Sequence, residues 1–130
     1  MRYAILLLGA PYSHQASHSA LRFARSLVAR GHELEGVFFY HDGVQNAARL
    51  AAPSQDEPHL VDGWKTLHSE HDVPLQVCIA AALRRGLLDE REAARHGKSG
   101  HSVASPFELT GLGQLIDLGL RCDRLITFGP

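Results

Sequence analysis

Cys78 is the residue best placed to do chemistry. Leu75-Gln76-Val77 before it reads as the end of a short buried strand, and Ile79 to Arg85 after it is built from helix formers, three of them alanines. A cysteine where a strand gives way to a helix meets unpaired N–H groups. These favour the thiolate, the form that acts as a nucleophile. The plainer reading is a small buried hydrophobe, a common state of free cysteine. Other chemistry-bearing residues form weaker patterns. His14 and His18 stand four apart, but no glutamate follows His14, so a zinc-protease helix is absent. His68 and His71 share a helix edge, and both histidine pairs read as solvated surface. His41 and Asp42 are open to two readings: a base or electrostatic neighbour for Cys78, or simple turn chemistry before Gly43. The Gly9-Ala10-Pro11-Tyr12 turn lacks the later glycines of a dinucleotide fingerprint, and no Gly-Lys-Ser/Thr occurs, which argues against nucleotide binding.

The elements around these residues alternate regularly. Tyr3 to Leu8 is a continuous apolar run, as expected of a central parallel strand. Ser13 or Ser17 is the expected cap of the next helix, whose apolar residues run from Ala16 to Val28 at helical spacing. Glu33 to Tyr40 is a second strand, Val44 to Leu50 a short helical stretch, and Ala51 to His59 a surface loop. Leu60 to His71 is a helix with Leu60, Val61, Trp64 and Leu67 inward. A third strand ends at Cys78. Asp89 caps a helix over Glu90 to His96, Pro106 to Leu109 is a short strand, and Gln114 to Leu120 is a helix offering Leu115, Ile116 and Leu120 to the core. Arg124 to Phe128 is the last strand. This order predicts an α/β fold: a mostly parallel five-stranded sheet with right-handed crossovers and helices on both faces. In such sheets ligand sites lie beyond the carboxyl ends of the strands. The loops Gly9 to Tyr12 and His41 to Val44 are expected to meet there with Cys78, which favours a reactive thiol. Cys122 precedes the last strand, at the opposite end of the sheet. Bridging the two cysteines needs Cα atoms within about 7 Å, so Cys122 reads as structural.

Composition bounds the possibilities. The chain has 130 residues, 45% hydrophobic and 21% charged, which suits a single soluble domain over residues 1–130. A net charge of −1 with neutral histidines gives no sign of a nucleic-acid or anionic-membrane partner. Two cysteines are not a disulfide framework, and a reducing, cytoplasmic setting follows. The start, MRYAILLLGAP, is too short for a membrane span or a signal peptide and reads as the first strand. No residue pattern calls for a metal or cofactor.

Three segments carry a resemblance: HELEGVFFYHDGVQNA from His32 to Ala47, VCIAAALRRG from Val77 to Gly86, and the ending GLGQL…CDRLITF. Through them the chain resembles, nearly end to end, the DsrE/TusD sulfur-transfer proteins, and DsrE most. The resemblance implies a three-layer α/β/α sandwich. It implies that Cys78 carries sulfur as a persulfide and passes it to a partner's cysteine. It implies a heterohexamer with two sibling subunits, DsrF/DsrH-like or TusC/TusB-like, and a small DsrC/TusE-type carrier as acceptor or donor. The setting is dissimilatory sulfur oxidation for DsrE-like chains and tRNA 2-thiouridine formation for TusD-like ones. The loop Ala51 to His59 is then a candidate shield for the reactive sulfur. Two competing functions need different chemistry. A stand-alone thiol redox enzyme or sensor needs a resolving cysteine, for which Cys122 is badly placed, and a structural subunit needs Cys78 buried and inert.

Overall fold

The computed structural model describes residues 1–130. Strand β1 (Arg2–Leu7) leads to helix α1 (Ala16–Ala29), and β2 (Glu33–Phe39) to a 3-10 helix (His41–Ala47) and then α2 (Leu60–His71). Strand β3 (Leu75–Cys78) runs directly into α3 (Ile79–Leu83). Helix α4 (Glu90–Arg95), β4 (Glu108–Thr110), α5 (Gly113–Arg121) and β5 (Arg124–Phe128) complete the chain. The five strands form one sheet in the order β4-β3-β2-β1-β5, and every pairing is parallel. No helix is long and apolar enough to cross a membrane.

The layers follow from crossover handedness. The steps β1-α1-β2 and β2-α2-β3 move the same way across the sheet, so α1 and α2 share a face. The step β4-α5-β5 returns to the far edge, which places α5 on the other face. Side chains agree. Tyr3 meets Phe23 of α1 edge-on at 6.2 Å, whereas Gly36 faces α5, where an added Cβ would lie 3.2 Å from a Leu118 methyl. The α/β/α sandwich expected from the sequence is therefore present, with β2 at the centre of its sheet, flanked by β1 and β3.

Three local expectations need correction. Ile116 and Leu120 are 66% and 82% exposed, while Leu118 is fully buried and Leu115 packs only partly against the core. Two helical positions span about 200°, so the buried residue of α5 puts Ile116 and Leu120 on its outer side. Neither Ser13 nor Ser17 caps α1; Gln15 holds that position without a side-chain bond. Ser17 is instead fully buried, donating to the Gly9 carbonyl at 3.2 Å and accepting from Asn46 Nδ2 at 3.1 Å. Asn46 also donates to the Gly43 carbonyl and accepts from Trp64 Nε1, both at 3.0 Å. Lastly, His68 is not merely solvated: its Nδ1 lies 2.9 Å from the Val73 carbonyl and ties α2 to the start of β3. The expected cap of α4 is in place, with Asp89 Oδ1 accepting from the Glu92 N–H at 2.8 Å.

Candidate functional site

Cys78 is both the last residue of β3 and the N-cap of α3, with Thr110 of β4 beside it in register. The switch from strand to helix tracks the sequence: Val77 suits a buried strand, and the alanines after Ile79 suit a helix. The helix stops sooner than the predicted Arg85. Arg84 is its C-cap, the Arg85 N–H turns back to the Ala82 carbonyl, and Gly86 at φ +77° redirects the chain. Five residues give only a small macrodipole. Charge control at the sulfur therefore falls more to side chains than the sequence suggested.

The thiol is free and only 3% exposed. It is not sealed in, however. It lines a cavity of about 260 Å³ together with Tyr40, His41, Arg84, Arg85, Gly111 and Leu112. The His41 turn reaches this cavity because of Gly43. Any Cβ there would overlap the Leu7 carbonyl, so only glycine lets the turn pass beneath the end of β1. His41 takes a left-handed φ of 50°, and its ring stacks on Tyr40 at 4.2 Å. Such a conformation costs a non-glycine residue roughly 1–3 kcal/mol, held here by the packed turn. Asp42 points elsewhere: its Oδ1 accepts from Arg85 Nε at 3.0 Å, and Arg85 Nη1 donates to the Ala81 carbonyl at 2.9 Å.

The site thus gathers part of what the sequence predicts. His41 joins Cys78 on the cavity wall, and Asp42, outside that wall, bonds to Arg85, which lines it. The Gly9 to Tyr12 loop does not join them. Ala10 to Ser13 line a separate cavity of about 400 Å³, with Asp42 and Gln45 among the other walls. Strand order explains this, because β2 separates β1 from β3. The missing wall comes from Gly111 and Leu112 after β4, the immediate neighbour of β3. Only the strand order could have revealed them. The Ala51 to His59 loop also belongs to the other cavity: Ala51 lines it, and Tyr12 Oη donates to the Pro58 carbonyl at 3.0 Å. It is not a shield over Cys78.

Cys122 precedes β5, at the opposite end of the sheet as expected, half-buried and free. Its neighbour Asp123 has a carboxyl held below the usual range, first by the Arg2 backbone N–H at 2.8 Å and then by the Arg2 charge. His14 is exposed, and His18 packs edge-on to Tyr12 at 6.0 Å. No group of three or more His, Cys, Asp or Glu side chains is placed to hold a metal ion.

Comparison with known proteins gives consistent relatives. The DsrE/DsrF-like family matches residues 1–128. DsrE of Allochromatium vinosum, named as a sulfurtransferase, is 46% identical over 129 residues, covering 99% of both chains. The sulfurtransferase TusD of Klebsiella pneumoniae is 49% identical over 128 residues, covering 98% of this chain and 100% of that protein. The crystal structure of the E. coli YchN protein matches with a TM-score of 0.77 over 98% of this chain and 100% of its own, at 21% identity, a likeness of fold.

Proposed function

We propose, from the premise that this chain belongs to the DsrE/DsrF-like family, that it is a sulfurtransferase whose Cys78 carries sulfur between proteins. Loading begins when the Cys78 thiolate attacks the outer sulfur of a donor persulfide. The donor's S–S bond breaks, a new S–S bond forms at Cys78, and the donor leaves as a thiolate. Delivery is the same exchange in reverse sense. A partner thiolate attacks the outer sulfur of the Cys78 persulfide, and Cys78 departs as a thiolate. No net oxidation or reduction occurs in either step, so neither needs an electron acceptor.

The observation that carries this reading is the position of Cys78 at a strand end, buried yet opening into a small cavity with basic walls. A buried sulfur is shielded from solvent oxidants, and an opening lets a partner's cysteine reach it. A resolving thiol for redox cycling is missing nearby, since Cys122 sits at the far end of the sheet.

We assign the whole of residues 1–130 to one sulfur-transfer domain, acting in the cytoplasm, where thiols stay reduced. Its companions are two sibling subunits in a heterohexamer and a small DsrC/TusE-type carrier. The outward Ile116 and Leu120 of α5 supply the apolar surface that stable subunit contacts use. The setting is dissimilatory sulfur oxidation. A second setting, relay toward tRNA thiolation, draws on the 49% identity to TusD; both use the same exchange.

The test is mass spectrometry of the protein after incubation with polysulfide without reductant. One added sulfur atom maps to Cys78 and vanishes in Cys78→Ser. Loading that persists in Cys78→Ser, or that sits on Cys122, overturns the assignment.

A further inference from the structure

Two arginines, Arg84 and Arg85, line the Cys78 cavity, and the structure treats them differently. Arg85 is already committed. Its Nε is 3.0 Å from Asp42 Oδ1, its Nη1 is 2.9 Å from the Ala81 carbonyl, and its side chain is mostly buried. Its charge is balanced by Asp42. Arg84, exposed at the rim, has no carboxylate within ion-pairing distance. The cavity therefore holds one uncompensated permanent cation. His41 and Tyr40 are the remaining titratable side chains besides the thiol on its wall, their rings stacked at 4.2 Å.

We propose that Arg84 is the residue that meets the sulfur anion at Cys78, and that Asp42 is a positioning residue that acts through Arg85. The proposal deepens the sulfur-transfer reading and rests on it. In both exchanges the anion on this chain is the Cys78 thiolate: the attacking group during loading and the departing group during delivery. A cation facing that sulfur helps both directions, as a reversible relay needs. Asp42 contributes in two ways. It neutralises Arg85, so the cavity has one free cation rather than two. It also ties the end of the five-residue α3 to the His41–Gly43 turn. Excess positive charge would hold the outgoing thiolate or an anionic donor too firmly for turnover.

The charge at a thiol can be read by comparing alkylation by iodoacetate, an anion, with alkylation by neutral iodoacetamide. The ratio of the two rates cancels general changes in access and reactivity. Rates are measured on Cys78 by peptide mapping in wild type, Arg84→Gln, Arg84→Lys and Asp42→Asn at low salt. A single nearby charge in a partly solvated site changes the approach of an anion by about three- to tenfold. Arg84→Gln is expected to lower the iodoacetate-to-iodoacetamide ratio by about that factor. Arg84→Lys keeps it within about twofold of wild type, since the charge remains. Asp42→Asn moves it the other way, up about two- to threefold, because Arg85 is then unbalanced. A structural role alone would leave the ratio unmoved in all three. An unchanged ratio in Arg84→Gln, an equal fall in Arg84→Lys, a fall in Asp42→Asn, or a wild-type Cys78 that neither reagent reaches would each overturn the proposal. Polysulfide loading of the wild type, run in parallel, separates the two questions. A Cys78 that shows the charge pattern but takes no sulfur refutes the transfer reading and leaves the electrostatic assignment standing.

Discussion

Gly43 and Asn46 set the geometry of the site without touching the sulfur. At Gly43 the missing Cβ lets the His41 turn tuck under β1, so Gly43→Ala must push backbone apart. The expected cost is about 2–4 kcal/mol, read as a lowered urea midpoint, with Cys78 alkylation faster as the turn loosens. Asn46 is fully buried and joins Ser17, Gly43 and Trp64 through three bonds. Asn46→Ala leaves the Trp64 indole N–H unpaired in the core, for an expected loss of about 2–3 kcal/mol. A double variant with Trp64→Phe should recover part of that loss, because the stranded donor is gone. Little of this was legible in the sequence. A glycine in a turn predicts freedom of φ, yet this one is needed for space. The Asn46 network joins residues as far as 29 positions apart, and no local pattern marks such a bond. Cys78 was legible because its signal, a strand-to-helix boundary, is local.

At the scale of elements, the cap of α4 was readable, whereas the cap of α1 and the end of α3 were not. Asp89 caps α4 as its type and place suggest, and Asp89→Ala is expected to cost about 1 kcal/mol, seen as a small fall in thermal midpoint. Helix α3 was overestimated because alanines and arginines favour a helix wherever they lie, while its end is fixed by Gly86 and by the Asp42–Arg85 bond. Strand β5 shows a charge-dependent fastening. Asp123 takes the Arg2 N–H at 2.8 Å, and its own N–H goes to the Arg2 carbonyl at 2.7 Å, so β5 is pinned to β1 where the pair begins. The Asp123 carboxyl is held below its ordinary range in the folded state. Its contribution is therefore present above the unfolded-state value of about 4 and is lost as the pH falls through the folded-state value. Asp123→Asn should be less stable than wild type near pH 7. The difference should shrink to nothing well below pH 4, as followed by denaturation at a series of pH values. A difference that stayed constant with pH would show that the carboxylate charge plays no part. Because the side chain is solvent-exposed, the effect is expected to be small.

At the scale of the molecule, the alternation of strands and helices was enough to predict the parallel sandwich, but not which strand lies beside which. That single unknown misplaced the Gly9 to Tyr12 loop and hid Gly111 and Leu112. The same limit applied to α5. Its apolar residues lie on more than one side, and periodicity cannot say which side meets the sheet when a lone helix covers a face. The chain buries Leu118 and leaves Ile116 and Leu120 outward, about one turn apart on the same side. Within a lone protein this arrangement gives no benefit and exposes apolar surface to water. Within an assembly of sibling subunits, it is surface waiting to be covered. The two cases separate cleanly. Replacing both residues, Ile116→Glu with Leu120→Glu, removes no buried contact, so thermal stability of the isolated chain should change by no more than about 0.5 kcal/mol. Two charges in a covered apolar contact should instead abolish association. Light scattering of the chain co-expressed with its siblings is expected to show a high-mass assembly for wild type and the free chain for the double variant. Both should still take sulfur on Cys78 from polysulfide, since the cavity is intact. A double variant that assembles like wild type would remove α5 from the subunit contacts. A wild-type chain that stays alone beside its siblings would remove the assembly from the proposed function.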